Sequence, residues 1–370
     1  MTRRALNRAT LERQLLLRRS AMSPSDAVHH LVGLQAQNPL DPYLAMWSRL
    51  DAFDPDAVGA QLEDRSLVRI VVMRGTIHLV TAGDAATLRP LMQPVLDAEI
   101  ARHSEFAPHL VGVDLAPVMA VARQLMSDHP MTTPQLRAAL ADQCPDVHAA
   151  AAAYACRCLL PLVQVPPRGV WGRSGQVTLA VLDGWVDLRP VTAPAARSID
   201  AVVLRYLAAF GPATVADVAA WSRLTGLREV VDRLRPQLRV FRDERGRELY
   251  DLPDAPRPDA DVIAPVRFLP EYDNVLLSHA DRSRFGSDGE SAVSRAVGPY
   301  KGAVLVDGEV RGIWHSEQDT TAKRSTVVVE HLPTGKSMTT EVEGEAHRVA
   351  DFWHASATNR AVSMRLIDCG

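Results

Sequence analysis

Lysine is nearly missing from this chain. Of 41 basic residues only Lys301, Lys323 and Lys336 are lysines, a bias that genome base composition alone can produce. Cysteine is equally sparse. Cys144, Cys156, Cys158 and Cys369 show neither the C-x-x-C pairs of a zinc site nor a disulfide framework. Cys156 and Cys158 flank Arg157 in an Ala-rich helical stretch and read as core thiols, so no metal is expected. No apolar run reaches the ~20 residues of a membrane helix. The basic N-terminus lacks the apolar stretch and small-residue cleavage site of a signal peptide, and the expectation is a cytoplasmic protein without membrane contact. The Gly patterns of phosphate and dinucleotide sites are absent, which argues against a nucleotide cofactor, as is the G-x-S-x-G elbow of serine hydrolases.

What is present is a soluble-type composition, 47% hydrophobic and 23% charged, over 370 residues, enough for two or more cores. Net charge is only −3, yet Arg3, Arg4, Arg8, Arg13, Arg18 and Arg19 crowd the first twenty residues against Glu12 alone. Such a local patch suits a phosphate backbone better than net charge would suggest.

Three segments repeat one layout: a helix, a second helix opened by Ser or Thr near proline, a third helix, then two strands. The second helices are "MSPSDAVHHLVGL" (22–34), "MTTPQLRAALADQ" (131–143) and "GPATVADVAAWSR" (211–223), each with N-cap chemistry followed by apolar residues at helical spacing. Hairpin-like alternation follows at 67–80, 162–182 and 238–252. Three helices and a hairpin make a winged helix, a fold that usually serves duplex DNA. The predicted fold is α+β: winged-helix units over 1–110, 111–192 and 193–258, separated by Pro-rich breaks, then a β-rich, partly barrel-like region over 259–370.

The chemistry-bearing candidates are few. In "GLQAQNP" (33–39), Gly33 ends a helix and Pro39 drives Asn38 toward extended geometry. An extended 35–37 would face Gln35 and Gln37 the same way, with Ala36 turned inward. The bland alternative is that both cap or solvate a helix end. Glu271, Asp273, His279 and Asp281 cluster in "PEYDNVLLSHADR" and suit either a hydrolytic base or a hydrogen-bonded turn. His29 and His30 read as packing or surface residues. Arg74, Gly75 and Thr76, with His78, mark a hairpin tip that suits a phosphate contact or a plain tight turn. Arg282, Arg284, Arg311, Trp314 and His315 form a second basic, partly aromatic strip.

Together, "LQAQNP", "RIVVMRGTIHLV", "LPEYDNVLLSHADR" and "VLVDGEVRGIWH" in a three-winged-helix chain resemble the bacterial AlkZ-type DNA glycosylases over residues 3 to 366. The resemblance implies that Gln35 and Gln37 are the catalytic pair of a Gln-hydrophobic-Gln motif. Gln37 places the chain nearer the AlkZ branch than the YcaQ-like branch, which has Asp there. It implies winged helices in a C shape around double-stranded DNA, beside which Arg74, Thr76, Arg282, Arg284, Arg311 and His315 stand, from their own sequence context, as DNA-contact candidates. The activity implied is excision of N7-alkylated purines, including bulky guanine adducts and interstrand crosslinks, without full base flipping, in repair or antibiotic self-resistance. Neither cofactor nor metal is implied, and a monomer is expected. With three lysines and the N-terminus as the only amines, a Schiff-base mechanism is disfavoured and a monofunctional enzyme expected. Two rivals remain: a non-catalytic winged-helix protein, acting as regulator or drug sequestrant, and a DNA-independent hydrolase built on His279 and Asp281.

Overall fold

A computed structural model describes residues 1–187, 198–286, 301–319, 324–333 and 335–367. The expected break at 190–198, the boundary at 192 and Cys369 lie largely or wholly outside these residues.

The first unit comprises α1 (Arg3–Arg13), α2 (Pro24–His30), β1 (Leu34–Gln35), α3 (Asp41–Trp47), α4 (Pro55–Glu63) and the strands β2 (Leu67–Val71) and β3 (Ile77–Thr81). Two helices, α5 (Ala82–Leu91) and α6 (Gln93–Arg102), lead to the second unit. That unit holds α7 (Leu115–Asp128), β4 (Met131–Thr132), α8 (Thr133–Gln143), α9 (Ala149–Leu159), β5 (Leu162–Gln164) and β6 (Thr178–Val181), with α10 (Leu182–Trp185) after it. The third runs α11 (Ile199–Phe210), α12 (Val215–Ser222), α13 (Leu227–Leu234), β7 (Arg239–Arg242) and β8 (Glu248–Asp251).

The repeat is written in the caps. Ser23 Oγ accepts from the Asp26 amide at 3.2 Å to open α2. Thr132 with Gln135 and Thr214 with Asp217 form reciprocal capping boxes that open α8 and α12. Each cap satisfies amides that no helical carbonyl can reach.

The wings of the first two units merge into one six-stranded sheet, ordered β1-β3-β2-β5-β6-β4. The third wing is a separate two-stranded sheet. An apolar core nevertheless joins all three units, running from Val68, Ile70 and Val80 through Val163 and Ala180 to Phe210 and Trp221.

The C-terminal region contributes β9 (Arg267–Leu269), α14 (Asn274–Leu277), β10 (Gly302–Val306), β11 (Glu309–Asp319), β12 (Arg324–His331), α15 (Lys336–Trp353) and β13 (Asn359–Leu366). Its five strands form a sheet ordered β13-β12-β11-β10-β9, which β13 joins in parallel. The region is β-rich as expected, but β9 and β13 stand at opposite edges, so the sheet is open, and α15 covers one face.

The basic N-terminus departs from expectation. Arg3 pairs with Glu309, Arg4 and Arg8 with Asp307, Arg13 with Asp251, Arg18 with Glu12, and Arg19 with Glu345. The Arg13–Asp251 pair is wholly buried, at 2.6 and 2.9 Å. These arginines fasten α1 across the C-terminal half of the chain. The reason is long-range: their carboxylates lie more than two hundred residues away, beyond any local charge count, Arg18 excepted.

Candidate active site

Gly33 ends the run after α2 at φ +92°, a left-handed conformation natural to glycine. A Cβ there would meet Val80 Cγ1 at 2.7 Å. The next two residues pair with β3 in antiparallel register, Leu34 with Leu79 and Gln35 with His78, and the Ala36 amide donates to the Ile77 carbonyl at 2.8 Å. Arg69, itself buried, donates from Nη2 to the Ala36 carbonyl at 2.9 Å. The stretch is therefore extended, as read from Gly33 and Pro39, and forms the edge of the six-stranded sheet. Ala36 is fully buried, Gln35 is 7% exposed, and Gln37 is exposed.

Gln35 is held by its oxygen. Arg74 Nη2 donates to Gln35 Oε1 at 2.7 Å, and Thr76 Oγ1 lies 3.5 Å from the same atom. A guanidinium only donates, so this contact fixes the amide with its oxygen toward Arg74 and its amino group away. Arg74 also reaches the Trp221 carbonyl with Nη1 at 2.9 Å, and its Nη2 lies 3.2 Å from His78 Nε2. His78 Nδ1 sits 3.0 Å from the Thr76 carbonyl, which can only accept. The ring is therefore the neutral Nδ1–H tautomer, with Nε2 accepting from Arg74. Burial first, and Arg74 second, push the His78 pKa down to about 3, so it stays neutral. Burial, with Arg223 beside it, brings Arg74 down to about 10, still fully charged at neutral pH. Among the described residues, no hydrogen bond holds the Gln37 side chain.

The tip that carries Arg74 is enclosed by the other two units. Arg157 of α9 donates to the Gly75 carbonyl at 2.8 Å and to Glu99 at 2.9 Å. Trp221 belongs to α12 of the third unit. Arg74 and Thr76 therefore turn inward onto Gln35 instead of presenting a free phosphate contact.

The "LPEYDN" segment underpins the loop. Asn274 Nδ2 donates to the Gly33 carbonyl at 2.9 Å, and Asp273 forms a fully buried bidentate pair with Arg49 at 2.7 and 2.8 Å. Asn38 shapes the exit from the motif, its Oδ1 accepting from the Leu40 amide at 3.2 Å and its carbonyl from Asp41 at 3.3 Å.

The remaining candidates disperse. Arg284 is buried, donating to Thr10 Oγ1 at 2.9 Å and the Pro212 carbonyl at 3.1 Å. It belongs to the packing between α1 and the third unit and is withdrawn as a DNA contact. Arg282 is exposed, with no partner among the described residues. Arg311 and His315 lie on β11, where Arg311 approaches the Pro333 carbonyl at 3.5 Å and His315 meets Glu317 at 3.2 Å. His279 is 3% exposed and contacts the Phe210 carbonyl through Nε2 at 3.1 Å, and burial depresses it to about 3. Asp281 is engaged with Arg247 at 2.6 Å and caps the turn at Ser283, so the two do not make a solvent-facing base. His29 is not a bystander: it joins Asp84 at 2.9 Å in a cluster with Arg205. His30 contacts the Arg13 carbonyl at 2.6 Å.

Two residues beside the motif escaped sequence reading. Arg69 holds the middle of the motif, and Asp41 opens α3 as a buried carboxyl that burial, then Glu271 and Asp273, push up to about 8. The Pro after Asp41 and the Asn before it marked a helix start, but nothing local marked the carboxylates that face it. Among the described residues no three His, Cys, Asp or Glu form a group able to hold a metal ion.

A family model described as DNA glycosylase AlkZ-like matches residues 28–352. A curated relative, an interstrand DNA cross-link repair glycosylase of Streptomyces sahachiroi, is 28% identical over 376 aligned positions, covering 92% of this chain and 93% of that protein. The solved structure of Streptomyces sahachiroi DNA glycosylase AlkZ superposes with a TM-score of 0.73 at 22% identity, covering 99% of each chain.

Proposed function

The chain belongs to the AlkZ-like DNA glycosylase family and is a DNA glycosylase, and from that premise we propose that it hydrolyses the N-glycosidic bond of N7-alkylated guanine, bulky adducts and interstrand crosslinks included. The observation that carries this reading is the extended Gln35-Ala36-Gln37 edge, with one glutamine clamped and the other exposed.

An N7-alkylated guanine is already cationic, so its departure needs little general-acid help. What remains is to hold a water at the anomeric carbon while the sugar acquires oxocarbenium character, work that glycoside hydrolases do with carboxylates. Gln37 Oε1 is the acceptor for that water. Gln35, whose oxygen accepts from Arg74 and lies within reach of the Thr76 hydroxyl, offers its amino group, sharpened as a donor by the cation at its oxygen. Positioning of this kind lowers a barrier by several kcal/mol, up to about 7–11 in well-oriented systems. It suffices for a charged leaving group and not for an ordinary base, so selectivity comes from chemistry as well as fit. A crosslinked base cannot swing out freely, which favours attack without full extrusion. The enzyme acts as a monomer on duplex DNA in the cytoplasm, without cofactor or metal, and serves repair or self-resistance.

Three duplexes test this, carrying N7-methylguanine, a bulky N7 adduct and an N7 interstrand crosslink. Base release is expected from at least one, leaving an abasic site. Gln37→Ala is expected to cut the single-turnover rate by about 10²-fold or more, the scale of a lost positioning group, with duplex affinity retained. No release from all three removes the reading.

A further inference from the structure

A cleft of about 640 Å³ opens between the end of α6 and the turn that joins α12 to α13, with Arg102, His103 and Ser104 on one wall and Arg223, Leu224 and Thr225 on the other. Arg102 and Arg223 are exposed, and neither has a hydrogen bond or ion pair among the described residues. The carboxylate in the lining, Glu99, is already answered: it accepts from Arg157 at 2.9 Å and from the Tyr154 hydroxyl at 3.0 Å. His103 Nδ1 accepts from the Phe106 amide at 3.2 Å, which leaves the ring proton on Nε2 as a further donor. The cleft therefore offers cations and neutral donors together. Its walls are also the elements that enclose the tip of the first wing. Trp221, two residues before Arg223, accepts from Arg74 through its carbonyl at 2.9 Å, and Glu99 reaches the Gly75 carbonyl through Arg157. After burial, Arg223 is what depresses the Arg74 pKa, a like-charge opposition that an anion in the cleft relieves.

We propose that this cleft seats the phosphodiester backbone of the DNA duplex, with Arg102 and Arg223 each taking a phosphate from opposite walls. The inference rests on the duplex reading above and adds an anchor outside the glutamine motif. Guanidiniums, hydroxyls and an imidazole N–H are groups that hold a duplex in position without reading its sequence. That suits an enzyme whose target is a lesion and not a run of bases. At ~30 Å³ per water the cleft equals about twenty waters, room for more than one phosphate. A stacked base is the poorer occupant, because the Tyr154 ring is taken up by His103 and Phe106, with centroids 4.3 and 5.1 Å away. The walls hold Arg74, and Arg74 holds Gln35, so a backbone seated here is placed relative to the motif through direct contacts. No base has to leave the helix for it.

The test is the salt dependence with which the full chain binds a lesion-free duplex. Each phosphate contact adds about 0.9 to the log–log slope, which is about 3.5-fold in affinity between about 50 and 200 mM salt. Arg102→Ala and Arg223→Ala should each flatten the slope by about one, and the double variant by about two. Lysine at either position should keep the slope, since a point charge suffices for a phosphate. Duplexes with single linkages neutralised as methylphosphonates then locate the contact. Wild type should bind more weakly at one or two linkages, and the double Ala variant should show no penalty there. An unchanged slope in both Ala variants, or a methylphosphonate profile that the double variant shares with wild type, overturns the proposal. So does a lowered melting temperature without a change of slope, the mark of an arginine that merely complements the C-terminal end of α6. Base release from the N7-methylguanine duplex separates the two readings. Flattened slopes without release leave the cleft standing and remove the substrate assignment, and release with unchanged slopes does the reverse.

Discussion

At the scale of single residues, two glutamines that look equivalent in the sequence are not. Gln35 is fixed through Arg74, whose other contacts are the Trp221 carbonyl and His78, so the geometry proposed for catalysis depends on a hairpin residue with no chemistry of its own. Arg74→Ala is expected to lower single-turnover base release by about 10-fold to 10²-fold, with Arg74→Lys intermediate because one donor remains but the fork is lost. In a Gln35→Ala background the same change should cost nothing further, which a double-mutant cycle reads directly. Were Arg74 a phosphate contact instead, its loss would flatten the salt dependence of binding by about one in log–log slope. Asp41 gives the second prediction. Its pKa is raised from the usual 3.8 to about 8, so the folded state holds a proton that the unfolded state loses. Stability therefore falls as pH rises from about 4 to 8, by up to about 1.4 kcal/mol per pH unit within that window, and is flat above it. Asp41→Asn should raise the melting temperature, little at pH 4 and most at pH 8 to 9.

At the scale of elements, the first wing does not project into solvent as a free finger. Its tip, Met73 to Thr76, is enclosed by α9 through Arg157 and by α12 through Trp221. Gly75 makes that possible, at φ +71° and with a Cβ position that would lie 2.1 Å from Glu99 Oε2. Gly75→Ala is expected to destabilise the fold by ~1 kcal/mol or more, from the backbone conformation and the displaced Glu99–Arg157 pair, measured by denaturant unfolding. Release of base should fall further than stability alone explains, because Arg74 moves with the tip. The capping residues Ser23, Thr132 and Thr214 were legible in the sequence because capping acts over three residues. The enclosure of the wing was not, since its partners lie 82 and 147 residues away.

At the scale of the whole molecule, charge that looks available is largely spent. The six arginines of the N-terminal stretch are ion-paired, and Arg284 lies in the interior. Affinity for DNA therefore rests on fewer cations than the sequence advertises. Arg282→Ala should reduce the log–log salt slope of duplex binding by about one, whereas Arg284→Ala should lower stability and leave the slope alone. Amines are scarcer still. Lys301 is tied to Glu330 at 3.2 Å, and the terminal amine contacts the Arg242 carbonyl. Borohydride added during turnover should trap no covalent protein–DNA adduct, and a trapped adduct would contradict the proposal of a monofunctional enzyme.

The sequence by itself determined the helix starts, the threefold repeat of helices and hairpins, the change to strands after residue 262, and the extended run that carries the glutamine pair. All of these follow from interactions spanning a few residues, such as caps, alternation and the constraints of Gly33 and Pro39. Tertiary structure alone decided that two wings fuse into one sheet, that Arg74 grips Gln35, and that Asp41 is buried facing Glu271 and Asp273. Those outcomes depend on which distant groups share a buried volume, where water no longer screens charge or satisfies a donor.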